Sequence, residues 1–274
     1  MFFFDAEGVQ RSLPRGWTDA GDVDPFVVVA AGRSALRVAD LVALTELIAE
    51  ILGATPNQVG VVFNAQSTNE DLYALARLAF DHLHVGKAYI AGLDQGWHDD
   101  ILVSADKNPN TAGAMAIGAG RLRSLLDLSN DLKAGAVTAL IVVGTRGVLG
   151  GEGARAALPL ERLQALVAIG THRDAVVTAA HVALPLAEWT EADGTFTNKL
   201  GMVQRVRAAV PAAGDSLPGW EILSHLARKL GATMEFLEAK AVFAEAKQKL
   251  PFMKEADWGR PMLPVQLRFA NSRG

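Results

Sequence analysis

Short apolar runs alternate with amphipathic, helix-length stretches from residue 26 onward, and few architectures satisfy that rhythm. "FVVVAA" from Phe26 precedes a helical stretch over 38–52, and "QVGVVF" from Gln58 precedes "NEDLYALARLAFDHL" from Asn69. Residues 59–63 are apolar throughout apart from Gly60, as in a strand covered on both faces, and such strands belong to parallel sheets. Thr68 or Asn69 can cap the following helix, with Glu70 and Asp71 in its first turn. The rhythm continues with "KAYIAG" from Lys87, a helix around 122–133, "VTALIVVG" from Val137, "ALVAIG" from Ala165 and "AVVTAA" from Ala175. The expected fold is α/β, a doubly wound and mostly parallel sheet.

The flanks differ from this middle. Residues 1–25 carry Gly8, Pro14, Gly16, Gly21 and Pro25 among charges and read as an irregular N-terminal segment. Residues 26–218 form the α/β domain, and 219–274 a helical annex with an extended tail. In the annex, "GWEILSHLARKLG" from Gly219 and a stretch from Thr233 have helical periodicity, and Pro251, Pro261 and Pro264 punctuate the tail.

Composition narrows the chemistry. The 26 basic and 30 acidic residues are interspersed, so no basic stripe offers itself to nucleic acid. The chain has no cysteine, which excludes thiolate-held clusters and cysteine zinc sites and fits a cytoplasmic setting. No stretch is long and apolar enough for direct membrane insertion.

Candidate sites follow from position. "VVGTRG" ends an apolar strand, where open α/β sheets place ligands, so Thr145 and Arg146 are candidates to hold an anion. Gly113, Gly118 and Gly120 in "GAMAIGAG" match no nucleotide fingerprint and read as packing or turn residues, and "GGEG" at 150–153 as a loop. His82 and His84 are too close in sequence to share a metal from one helix face. His98 with Asp99 and Asp100 could form an acid–base group, and His172 or His181 could each neighbour a carboxylate. No G-x-S-x-G elbow is present.

Three stretches carry a family resemblance. "FNAQSTNEDLYALARLA" from Phe63 resembles a strand, small-residue turn and T-N-E-E helix. "ILVSADKNPNTAGAMAIG" from Ile101 resembles the Asn-rich segment that follows it. "VVTAAHVALPLAEWTEADGTFTNKLGMVQ" from Val176 resembles T-A-x-x-A-D-V-V-L-P followed by E-x-x-G-T-F-x-N-x-x-G-R-x-Q. Together they resemble the molybdopterin oxidoreductase superfamily, and most closely its member in respiratory complex I, the large iron–sulfur (G) subunit of bacterial NADH:quinone oxidoreductase.

The resemblance implies that the irregular segment after Pro185 is part of a cradle for a pterin dinucleotide, with Thr195 and Asn198 joining Thr145 and Arg146 at the cofactor. Within it, Gly194 and Gly201 would permit the turns. Two departures weigh against an anionic cofactor: Met202 stands where the family has Arg, and His181 where it has Asp. Phe4 also stands where the complex I subunit has a cluster-ligating Cys. The expectation is therefore a structural module that carries no cofactor, docked on other subunits of a respiratory complex, in the cytoplasm or at the inner face of the cell membrane. Its apolar anchors would include Trp258, Leu263 and Phe269. The alternative is a piece of a molybdenum or tungsten oxidoreductase that holds molybdopterin guanine dinucleotide.

Overall fold

The computed structural model describes residues 2–4, 10–12, 56–99, 101–149, 158–214 and 216–259. The run from Phe26, the stretch 38–52, the glycine turn at 150–153, Asp100, Leu263 and Phe269 lie outside these residues. In the N-terminal segment, expected to be irregular, the described residues Phe2–Phe4 (β1) and Gln10–Ser12 (β2) pair antiparallel. Three consecutive phenylalanines favour strand over turn.

The main sheet has six strands: Val59–Asn64 (β3), Lys87–Ala91 (β4), Leu122–Arg123 (β5), Ala139–Val143 (β6), Ala165–Gly170 (β7) and Val182–Pro185 (β8). Their order is β5-β4-β3-β6-β7-β8 and every pairing is parallel. Chain order runs outward from β3 in one direction and then from β6 in the other. The carboxyl ends of β3 and β6 therefore flank the switch point, where a crevice opens in sheets of this topology.

Burial alternates with the pleat. In β6, Ala139, Ile141 and Val143 face one core while Leu140 and Val142 face the other; β7 divides likewise. Asn69–Ala76 (α1), continued by wider π-helical turns over Arg77–His82, covers the first face with Leu72, Leu75 and Leu78. Thr111–Gly118 (α2) adds Ile117 to that face, while Leu125–Lys133 (α3) covers the second with Leu128 and Leu132. Ala175–Ala179 (α4) lies between β7 and β8. Gly219–Lys229 (α5) and Ala239–Lys249 (α6) bring Ile222, Leu226, Val242 and Phe243 onto the first face.

Three assignments differ from the sequence reading. Leu122 and Arg123 form an edge strand rather than a helix start, because Ser124 and Asp127 make a capping box that begins the helix at Leu125. The run from Ala175 is a helix rather than a strand: Asp174 accepts from the Val177 N–H and caps it. Beyond Pro185 order does not lapse, since Gly194–Thr197 (β9) and Val203–Val206 (β10) pair as an antiparallel hairpin.

Candidate functional site

The carboxyl edge of the sheet is organised by one residue. Asn64, the last of β3, is fully buried and its Nδ2 donates to the carbonyls of Gly144 at 2.6 Å and Arg146 at 2.8 Å. Its Oδ1 accepts from the Gln66 N–H, so the same side chain shapes its own turn and the loop after the neighbouring strand. Thr145 is buried and Arg146 exposed, its guanidinium unpaired among the described residues. Gly147 lies at φ 77°, and a Cβ there would meet the Gly92 carbonyl, so only glycine lets the loops after β4 and β6 close on each other.

The turn from β3 into α1 ends in Thr68, whose hydroxyl accepts from the Asp71 N–H and caps the helix. The three residues after the cap are polar yet buried, and each reaches a different part of the fold. Asn69 Nδ2 donates to the hydroxyls of Thr195 and Thr197 on β9, both at 2.9 Å. Glu70 accepts from the Thr195 N–H at 2.6 Å and from the Thr195 hydroxyl at 2.8 Å. Asp71 accepts from the Trp220 N–H at 2.8 Å and so caps α5 from across the core. Burial pushes the Glu70 carboxyl up to about 8 against the pull of the Thr195 donors, and pushes Asp71 up as well against its bonds to Trp220 and Thr68.

Asn110 closes the arrangement. It precedes α2 at the cap position but leaves its own helix uncapped; its Nδ2 donates to Ser67 O and its Oδ1 accepts from the Thr197 N–H. Ser67 in turn donates weakly to the Val143 carbonyl at the end of β6. Gly113 faces this cluster, and a Cβ there would run into the side-chain oxygens of both Asn69 and Asn110.

The four predicted residues thus fall in two pairs joined through Ser67 and Asn110. Thr145 and Arg146 follow β6 at the switch point. Thr195 is consumed in the clamp, and Asn198 holds its own turn, accepting from the N–H groups of Leu200 and Met202 and donating to Gln204. Gly201 takes φ 80° in that turn, whereas Gly194 serves close approach to Thr68. Asp99 accepts from three successive backbone N–H groups, Ile101 to Val103, and builds a loop rather than partnering His98. His181 Nδ1 accepts from the Leu166 N–H between strands, and His172 lies 3.6 Å from Glu188. Trp258, expected as an anchor for partners, packs against Phe243 and under Arg205 of its own chain.

The sequence reading placed Asn69, Glu70 and Asp71 only at the cap and first turn of a helix, and assigned no role to Asn64 or Asn110. Their signal was density: Asn64, Gln66, Ser67, Thr68 and Asn69 crowd the end of an apolar strand, and Asn108 and Asn110 precede a glycine-bearing helix.

Residues 20–229 match the family model described as molybdopterin oxidoreductase. The chain belongs to that family. It is 28% identical over 229 residues to the NADPH-Fe(3+) oxidoreductase subunit alpha of Geobacter sulfurreducens, covering 82% of this chain and 25% of that one. It is 49% identical over 74 residues to the F420-dependent formate dehydrogenase 2 subunit alpha of Methanococcus maripaludis, covering 26% of this chain and 11% of the relative. The corresponding Methanocaldococcus jannaschii subunit is 43% identical over 74 residues. The chain thus spans a quarter or less of the length of these curated relatives.

Family membership corrects the expectation that the module carries no cofactor: a molybdopterin oxidoreductase domain with formate dehydrogenase relatives points to molybdopterin binding. Of the two departures behind that reading, His181 serves local structure, its Nδ1 accepting from the Leu166 N–H of β7, and nothing in the structure explains the side chain of Met202. The comparisons show the family as a whole and do not single out the complex I large subunit. Among the described residues no helix is long and apolar enough to cross a membrane.

Proposed function

We propose that this chain is the cofactor-holding α/β domain of a molybdopterin oxidoreductase, with the anionic part of a pterin dinucleotide seated at the switch point between β3 and β6. The observation that carries the reading is the exposed guanidinium of Arg146 on a loop that buried Asn64 fixes by two hydrogen bonds. Arginine suits phosphate because its planar fork donates two bonds at once. The donor set fits the group in a second respect: carboxylates after the strands are committed elsewhere, Asp174 to capping α4, Glu188 to His172, Glu191 to the Glu188 N–H, and Asp106 to Asn108. No free carboxylate among these opposes a phosphate there.

When bound, the cofactor supplies the oxidation–reduction chemistry. The chain's own residues bind and orient it. Arg146 would contact phosphate directly, with Thr145 behind it, buried against the end of β7. Thr195 and Asn198 would act at one remove, by holding the hairpin in shape. The relatives are named as subunits alpha, and Trp97, Ile101 and Leu102 stand exposed on the loop before α2, which supports work beside partner subunits. A substrate of the formate or reduced-nicotinamide class would be handled by the whole assembly.

The test is elemental and pterin analysis of the assembly purified from its native source through this chain. Molybdenum or tungsten near one atom per chain, with a pterin, is expected. Neither metal nor pterin in an intact assembly would reject the reading.

A further inference from the structure

We infer that Glu70 is a positioning residue: its carboxyl, with Asn69 beside it, latches β9 onto the start of α1 and thereby fixes where the turn over 198–202 stands at the carboxyl edge of the sheet. The inference rests on the proposed reading of that edge as the cofactor site.

The geometry is specific. Glu70 is 1% exposed and spends both carboxyl oxygens on one residue, Oε2 on the Thr195 N–H and Oε1 on its hydroxyl. The Thr195 N–H belongs to a strand whose only sheet partner among the described residues is β10, and on the other edge this buried donor is satisfied by Glu70. Asn69 and Asn110 occupy the next positions along the same edge, on the hydroxyl and N–H of Thr197. Three side chains from two helix starts thus do along β9 what a neighbouring strand would do with its backbone.

Register is the consequence. A backbone ladder permits slippage by two residues, which would bring Thr197 to Glu70, but the same slip would set Asn69 and Asn110 against Lys199, which has no hydroxyl for Asn69, so the two threonines together fix the register. Gly194 allows the approach: a Cβ there would meet Thr68 and come close to Glu70 Oε2. From Thr197 the chain enters directly the turn held by Asn198. Asn110 ties Thr197 to Ser67, which lies against Gly144 at the switch point. Placement of that turn relative to Arg146 therefore runs through the latch.

The test uses the assembly purified with Glu70→Ala, Glu70→Gln and, as a control in the opposite core, Leu128→Ala. Two readouts are taken: hydrogen exchange over 194–206 and metal content per chain. Gln can accept from the Thr195 N–H and donate to its hydroxyl, so it keeps the latch, whereas Ala cannot. The expected result is exchange over 194–206 at least about tenfold faster in Glu70→Ala. The strands Ala139–Val143 and Ala165–Gly170 should stay protected, and both hairpin protection and metal content should return in Glu70→Gln. Unchanged exchange over 194–206 in Glu70→Ala, or equal loosening by Leu128→Ala, would overturn the latch. A loosened hairpin with full metal content would overturn its service to the cofactor. Absence of metal and pterin from the wild-type assembly would instead fail the reading of the site and leave the latch to be decided by exchange alone.

Discussion

At the scale of single residues, the buried acid beside the site has a consequence for stability. Glu70 holds its proton in the folded chain up to about 8, while in the unfolded chain it ionises near 4.5, because burial disfavours the charged form. Between those values the folded state binds more protons than the unfolded one, so stability falls as pH rises through the window and levels off beyond it. With the proton on Oε1 the bond to the Thr195 hydroxyl reverses direction and survives. Glu70→Gln should therefore flatten the dependence of the urea midpoint on pH between 5 and 8, by up to on the order of 1 kcal/mol per unit. Asp71, shifted the same way, leaves a residual slope. An unaltered profile in the variant would mean that Glu70 is ionised throughout and that the Thr195 donors outweigh burial.

At the scale of elements, glycine in α2 is a packing device. Alanine at position 113 would gain about 1 kcal/mol in helix propensity. Its Cβ would also run into Asn69 and Asn110, and overpacking of this kind costs about 1–3 kcal/mol. Since both amides are fully buried and bonded to other elements, neither can swing aside, and the clash should win. Gly113→Ala is expected to lower the denaturant midpoint. Gly86→Ala, where a Cβ meets nothing, should leave it unchanged or raise it. Equal behaviour of the two would remove the packing argument. The same comparison marks what was legible. Central strands could be read from runs apolar on both faces, such as Val59 to Phe63, because burial on two sides leaves no other option. Leu122–Arg123 and β9 could not: one is too short to have a period, and the other is satisfied along one edge by side chains from residues more than eighty positions away. Thr145 and Arg146 could be named as candidates because strand ends locate crevices. Glu70 was hidden because an acid in a first helical turn ordinarily needs no further explanation than the helix dipole.

At the scale of the whole molecule, the sheet separates a part that sustains the fold from a part open to ligand. Three strands, β3, β6 and β7, are buried on both faces, and their carboxyl ends carry Asn64, Gly144 and Gly170, the joints from which the loops of the site spring. Arg146 stands on one such loop but contributes its carbonyl, not its exposed side chain, to the scaffold. Fold and ligand affinity should therefore be separable at this position. A ligand that binds only the folded chain stabilises it by an amount set by its concentration over its dissociation constant, about 2.7 kcal/mol at a hundredfold excess. On the proposed reading, the assembly from cells grown with molybdate should melt higher than that from molybdate-starved cells. Arg146→Ala should abolish most of that increment while leaving the melting temperature of the starved form unchanged, since no ion pair is lost among the described residues. Truncating an exposed cation costs little by itself, so a fall in the starved form would show that Arg146 is structural. An increment retained in full by the variant would show that the phosphate-holding group lies elsewhere along the edge.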